Sequence, residues 1–206
     1  MEKTNRMTKA ALIIVIFTLS GKFLGFIREL LIASKFGSGM ETDAYFVAIS
    51  ATYVIIHLMG TGLNTTMIPI LSEIETNIGK DRKDYYTNNL LSLVGIIAIL
   101  LIVLGWFITP IIIKIMAHGF KDDKFQLTVE LTRMGLPIML FAGTCYILIG
   151  YLHSSERFTI PAAVGLPFNF IHIFYLMFLA NKYGIKGLMV VTVLAELLML
   201  IMQVPA

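Results

Sequence analysis

Charged side chains interrupt the first apolar stretch of the chain. Lys22, Arg28 and Glu29 lie within ALIIVIFTLSGKFLGFIRELLIASKF, where a membrane-spanning helix is expected. A charge near the centre of a bilayer costs a few kcal/mol, so such residues usually face a protein interior or a water-filled cavity. Helical spacing places Lys22 and Glu29 on one face, and Arg28 on another with Gly21 and Gly25. These glycines form a G-x-x-x-G pattern, which lets a second helix approach closely.

A polar line follows the next apolar stretch. Asp43, His57 and Asn64 are separated by multiples of seven residues, and Thr61 lies on the same face. Because Asp43 opens this helix directly after a tight turn, it is the preferred acidic partner of Arg28. The two stretches together predict a cationic, water-accessible cavity among helices, which would suit an anionic substrate.

Two later stretches carry weaker polar lines. Asn169 and His172 share a helical face, and Glu196 is the only acid deep in the last apolar stretch. A buried acid there needs a partner or a proton. The sequence contains no Cys/His/Asp/Glu cluster with metal-ligand spacing, no catalytic triad and no nucleotide-binding motif. The sequence therefore predicts no metal site, no cofactor and no catalytic residue. We expect that the protein is not an enzyme.

Long apolar helices must position these residues. The 206-residue chain is 57% hydrophobic and 14% charged, with a mean hydropathy of +0.84. Soluble domains have about 25% charged residues, so an all-α integral membrane protein is predicted. A spanning helix needs roughly 20 mainly apolar residues. On that rule one domain covers residues 1–206 as a six-helix transmembrane bundle, with helices at about 8–36, 43–73, 88–116, 126–153, 159–181 and 185–205.

The net charge and the cysteine content limit the kinds of partner and cross-link that the chain can have. A net charge of +3 indicates no nucleic-acid partner, which leaves membrane lipids. The single cysteine, Cys145, excludes an internal disulfide and is interpreted as a buried apolar filler.

The start of the chain resembles a signal peptide, but no cleavage pattern follows, so it is interpreted as a retained first span. Basic residues slightly favour cytoplasmic termini, with a polar loop at 75–89 on the same side.

At the level of motifs the chain resembles a known family. GKFLGFIRELLIASKFGSGMETDAYFVA resembles the start of the MurJ/MviN lipid II flippases, and MIPILSEI and ERFTIPA are similar to later segments of that family. The family belongs to the multidrug/oligosaccharidyl-lipid/polysaccharide exporter superfamily. Its members pack two six-helix lobes around a central cavity and move undecaprenyl-pyrophosphate-linked precursors across the membrane by alternating access. The resemblance implies that this chain is equivalent to one such lobe.

The resemblance also carries over to single positions. Arg28 and Asp43 fall on positions that are important in the family, and Lys22 stands where an arginine is usual. Ile56 and His57 stand where the family has an arginine pair. The helical faces and the resemblance together predict a substrate cavity lined by Lys22, Arg28, Asp43, His57 and Asn64, with Glu29, Thr61, Asn169, His172 and Glu196 as secondary candidates.

Three functions are left open. The first is the N-terminal lobe of a flippase that translocates lipid II across the bacterial cytoplasmic membrane, as a multi-pass protein. The second is an exporter of other lipid-linked oligosaccharides or of drugs on the same fold. The third is an inactive truncated lobe that acts as a scaffold. Because the chain stops where family members continue, we expect either a fragment or a half-transporter that pairs with a second lobe from a separate chain.

Overall fold

Within the described residues the chain forms α-helices and no strand. The computed structural model describes residues 2–204, with side chains from residue 11 onward except at positions 55, 58, 59, 61, 63 and 64. The described helices are α1 (Glu2–Phe36), α2 (Met40–Asn77), α3 (Lys80–Met116), α4 (Asp122–Gly135), α5 (Ile138–Ser154), α6 (Thr159–Ala163), α7 (Gly165–Phe178) and α8 (Ala180–Gln203).

The helices overlie the six apolar stretches, and some stretches are bent. The fourth holds α4 and α5, which meet at Leu136 and Pro137 with a bend of 44°. In α8, Gly184 has a φ of 59°, which breaks the regular helix near its start. By length and composition, four described helical stretches could cross a membrane, and the α4–α5 pair would add a fifth as one bent span. The predicted all-α membrane fold is confirmed, whereas the number of spans stays a prediction.

The predicted polar loop at 75–89 is mostly helical. Helix α2 continues to Asn77 and α3 begins at Lys80, so only Ile78 and Gly79 separate them. Gly79 has a φ of 117°, a conformation that residues with a Cβ rarely adopt. The run of mixed charges favours a break between apolar helices, but lysine, arginine and glutamate are also good helix formers. These residues extend both helices beyond their apolar segments.

The helices pack in two groups joined by α8. Helix α1 packs mainly against α6 and α7, while α2 packs against α3, α4 and α5. Helix α8 packs against both α5 and α7, and α1 and α2 make little direct contact with each other. The largest apolar core lies where α2, α4, α5, α7 and α8 meet, and it includes Ala44, Ala48, Leu131, Leu188 and Met189.

The orientation of the bundle can be tested by labelling. With Cys145 replaced, single cysteines at Arg82 and Lys121, both exposed, should react from opposite sides of the membrane. Successive helices run in alternate directions, which puts the start of α3 and the start of α4 at opposite ends. We expect Arg82 on the cytoplasmic side. Labelling of both positions by an impermeant reagent applied to intact cells would contradict this topology. Lys83 is unsuitable for this purpose because its side chain is fully buried.

Candidate functional site

Helix α7 packs against the surface of α1 that the G-x-x-x-G glycines form. The Asn169 side-chain nitrogen donates to the carbonyl oxygens of Gly21, at 3.1 Å, and Gly165, at 2.8 Å. A Cβ built on Gly25 would lie 3.7 Å from the Asn169 side-chain oxygen. The close approach expected from the G-x-x-x-G pattern is therefore present, and α7 rather than α2 provides the partner.

Arg28 does not pair with Asp43 as expected. Its guanidinium lies 5.4 Å from the centroid of the Phe168 ring on α7, and Nη2 lies 3.7 Å from Glu29 Oε1. Asp43 accepts a hydrogen bond of 2.6 Å from Lys124 Nζ on α4 instead. The reason is the packing of the two groups of helices: α1 faces α7, whereas α2 faces α4, so the two residues meet different neighbours.

Lys22 lies on the open side of α1. Its side chain is exposed, and it makes no hydrogen bond or ion pair with any residue whose side chain the structure describes. Glu29, one of its companions on that helical face, is also exposed. This face of α1 therefore carries a cation without a protein partner in the described part of the bundle.

The polar line of α2 opens onto a groove. Ser50, Tyr53 and His57 line it with two aliphatic neighbours, and its volume is about 570 Å³. The Tyr53 and His57 rings stack with centroids 5.5 Å apart, and the hydroxyl of Tyr146 on α5 lies 2.9 Å from His57 Nδ1. His57 is thus held in place at the groove wall. The side chains of Asn64 and Thr61, predicted on the same line, lie outside the described residues.

Glu196 has the partner that its position requires. The carboxylate is buried in α8, with 5% of the residue exposed, and it accepts a hydrogen bond from the Tyr53 hydroxyl. Because the Tyr53 ring also stacks on His57, Tyr53 connects the α2 groove to the buried acid. Tyr53 was absent from the candidates predicted from sequence, since a tyrosine in an apolar stretch also fits a hydrophobic core.

His172 belongs to a second buried network. Its Nδ1 lies 2.7 Å from the Phe168 carbonyl oxygen, and Nε2 lies 3.0 Å from Thr192 Oγ1. The Tyr45 hydroxyl lies 2.9 Å from the same Thr192 oxygen. A carbonyl only accepts, so Nδ1 carries a proton. The Thr192 hydroxyl also lies 2.9 Å from the Leu188 carbonyl oxygen, so its single proton has two acceptors within reach, Leu188 and Nε2 of the neutral ring.

The two networks include four of the ten predicted residues, Arg28, His57, His172 and Glu196. Phe168 links Arg28 to His172, because the guanidinium and the imidazole both pack against its ring. Asp43 instead pairs with Lys124, and Lys22 and Glu29 lie on the exposed side of α1. Among the described side chains, no group of three or more His, Cys, Asp or Glu residues is placed to hold a metal ion. The arrangement provides hydroxyl groups, two imidazoles, one guanidinium and the buried carboxylate of Glu196.

Removal of one hydroxyl should test the Glu196 contact. We expect Tyr53→Phe to lower the free energy of unfolding by about 1–3 kcal/mol, because it leaves a buried acceptor without its donor. Tyr183→Phe is the matched control, since Tyr183 is exposed and its hydroxyl makes no hydrogen bond with the described side chains. Denaturant unfolding in detergent micelles would measure both. Equal stability of the two variants would show that the hydroxyl contributes nothing.

The fold and the interior define a polytopic, all-α membrane protein with polar networks between its helices. A family model described as lipid II flippase MurJ matches residues 32–206. The chain belongs to this family, which confirms the resemblance seen in its motifs.

Curated relatives carry similar names. The chain is 28% identical over 180 residues to a probable lipid II flippase MurJ of Buchnera aphidicola, and covers 35% of that protein. It is 27% identical over 177 residues to the lipid II flippase MurJ of Thermosipho africanus, with 36% covered. It is 26% identical over 202 residues to the Burkholderia cenocepacia protein, with 39% covered. The alignments cover 86%, 85% and 96% of this chain. The chain therefore spans little more than a third of these relatives.

A solved structure shares the fold. It is described as lipid II flippase MurJ in an inward closed conformation, and it matches with a TM-score of 0.77 at 23% sequence identity. The match covers 94% of this chain and 41% of the solved chain. Most of this bundle is thus reproduced as one part of a larger membrane protein.

Proposed function

We propose that this chain forms the N-terminal lobe of a flippase in the bacterial cytoplasmic membrane. Its substrate is an undecaprenyl-pyrophosphate-linked peptidoglycan precursor, lipid II. Translocation proceeds by alternating access and makes or breaks no covalent bond. Residues 1–206 contribute one wall of the substrate cavity, and both termini are cytoplasmic.

The placement of Arg28 carries this proposal. Its side chain is 23% exposed, and its guanidinium is held against the Phe168 ring. Its described ion-pair partner, Glu29, is 3.7 Å away and 62% exposed, so an incoming anion can displace it. A pyrophosphate presents several charged oxygens, and the planar guanidinium can bind two of them at once.

Lys22 supports Arg28 from the neighbouring face of α1. It is exposed and makes no ion pair with a described side chain, so its charge is available to a ligand. A lysine provides a point charge rather than a bidentate fork. We therefore assign orientation of the pyrophosphate to Arg28 and general attraction to Lys22.

A second lobe is part of the proposal. Alternating access needs two faces that move against each other around the substrate, and this chain spans about 35–39% of the curated relatives described above. The open side of α1 and the α2 groove are the surfaces that would face the second lobe. That lobe is either a continuation of the same protein or a separate chain.

Complementation of a flippase-depleted bacterium tests the function. The chain should be expressed alone, and together with a C-terminal lobe encoded next to it or taken from a relative. We expect growth and normal lipid II levels only when both lobes are present. Failure of every combination, at membrane levels equal to those of a working relative, would contradict the proposal and favour a scaffold.

One observation favours a second substrate class. Ile56, at a position where the family has an arginine, is buried in the apolar core, so the α2 face offers His57 but no guanidinium. A cavity with fewer cations suits a lipid-linked oligosaccharide with less charge than lipid II. Accumulation of such a glycolipid, rather than of lipid II, in cells that lack this protein would identify that substrate.

A further inference from the structure

An arginine is fixed on the outer surface of the bundle, away from the candidate site. Arg133 of α4 reaches across to α3, where its Nε donates to the Trp106 carbonyl oxygen at 3.1 Å. The guanidinium carbon also lies 5.2 Å from the centroid of the Trp106 ring. Two contacts with one residue hold the guanidinium in a defined position. Its terminal amino groups make no hydrogen bond with the described residues.

Pro110 explains why this carbonyl is available. In a regular helix the Trp106 carbonyl accepts from the backbone N–H four residues later, and that residue is Pro110, which has none. The Arg133 side chain supplies the missing donor from another helix. The proline in α3 thus creates an acceptor that positions Arg133.

A pocket adjoins the guanidinium. It has a volume of about 460 Å³, and Gln126 adds an amide beside Arg133. The one acid in the lining, Glu130, is bonded to Lys186 at 2.7 Å, so its charge is compensated. The remaining lining is apolar or aromatic: Trp106, Phe125, Val129 and Met134. The pocket combines a cationic donor group with a surface for acyl chains.

The level of the pocket matches the edge of a bilayer. Helix α3 has 37 residues, which corresponds to a length of roughly 55 Å, whereas the hydrocarbon core is about 30 Å thick. The first ten residues of α3 are polar or tyrosine, so a core of about 20 residues that begins at Leu90 ends near Pro110, about 6 Å beyond Trp106. A tryptophan beside an arginine is typical of the membrane interface. Arg133 is therefore near the depth of lipid phosphate groups.

We propose that this pocket binds the phosphate of an anionic phospholipid in the leaflet on the Met116 side. The terminal amino groups of Arg133 bind two phosphate oxygens, Gln126 donates a further hydrogen bond, and the acyl chains lie along the apolar lining. The site does not depend on the proposed transport function, because it lies outside the cavity wall. Its role is to hold a lipid at the junction of α3 and α4.

The single tryptophan gives a direct test. Trp106 is the only tryptophan of the chain, so its fluorescence reports on the pocket alone. The purified 206-residue chain should be reconstituted in phosphatidylcholine vesicles containing either brominated phosphatidylglycerol or brominated phosphatidylcholine. We expect the brominated anionic lipid to quench at about fivefold lower mole fraction, the effect typical of one basic residue at a membrane surface. Equal quenching by both lipids would overturn the proposal.

Three variants separate the site from general surface charge. Arg133→Gln should abolish the preference, whereas Lys121→Gln, an equal charge change at an exposed position on the same side, should retain it. Pro110→Ala restores the backbone donor for Trp106 and frees Arg133 without a change of charge; the preference should fall at least twofold. Equal losses in Arg133→Gln and Lys121→Gln would show nonspecific attraction. An unchanged preference in Pro110→Ala would contradict the positioning by Trp106.

Discussion

Arg28→Ala is expected to abolish translocation by a complete transporter built on this lobe. The guanidinium is packed against the Phe168 ring, and the Arg28 side chain is 23% exposed. Removal of one partner from a desolvated, hydrogen-bonded charge pair costs about 2–5 kcal/mol, or at least about 30-fold in affinity. Lys22→Arg should be tolerated, since it keeps the charge and adds the bidentate fork.

Complementation of flippase-depleted cells measures this effect, with the amount of each variant in the membrane checked by blotting. Arg82→Ala is the matched control, because Arg82 is exposed at the start of α3, where its guanidinium contacts the Tyr85 ring. If Arg28→Ala supports growth as well as Arg82→Ala at equal expression, the charge is structural, and the proposed role in binding pyrophosphate is wrong.

Lys83→Ala should have the largest effect on stability. Lys83 is fully buried, and its Nζ lies 2.5 Å from Glu75 Oε2, 2.6 Å from Ser155 Oγ and 4.6 Å from the centroid of the Tyr151 ring. The amine thus joins the ends of α2, α3 and α5. Loss of one partner of a buried ion pair costs about 3–5 kcal/mol. We expect the lower end of this range, because the Glu75 side chain is 36% exposed and can be hydrated.

Unfolding in detergent would measure this loss. Lys80→Ala is the control, because Lys80 lies one turn earlier on α3 with an exposed side chain. Lys83→Met retains most of the side-chain volume, so its smaller loss would separate the ion pair from the cavity. Equal stability of Lys83→Ala and Lys80→Ala would mean that the buried amine does not hold the three helices together.

Helical periodicity predicted faces better than it predicted neighbours. It placed Gly21 and Gly25 on a surface for close packing, and Asn169 occupies that surface. It also placed His57 on an open polar face of α2. Spacing within one helix determines which side chains share a face, because the geometry of a helix is fixed. The helical faces that carry the candidate residues could therefore be predicted from the sequence.

The helix that packs against each face could not be predicted from residue spacing. Arg28 and Asp43 are close in sequence, but they meet Phe168 and Lys124 on different helices. Which helix packs against a given face depends on the fit of all side chains in the bundle, and a single sequence does not show that fit. Lys83 was missed for this reason: its mixed-charge surroundings are typical of a loop, and its burial depends on helices that arrive from elsewhere.

The pairing of α1 with α7 has a consequence for synthesis in the cell. Gly21 and its hydrogen-bond donor Asn169 are 148 residues apart. At roughly 5–20 residues per second, the ribosome delivers Asn169 about 7–30 s after Gly21. During that interval Arg28 has been synthesised but Phe168 has not. The guanidinium therefore lacks the aromatic ring and the helix α7 against which it packs in the folded bundle. The first helix therefore remains without its packing partner until α7 has been made.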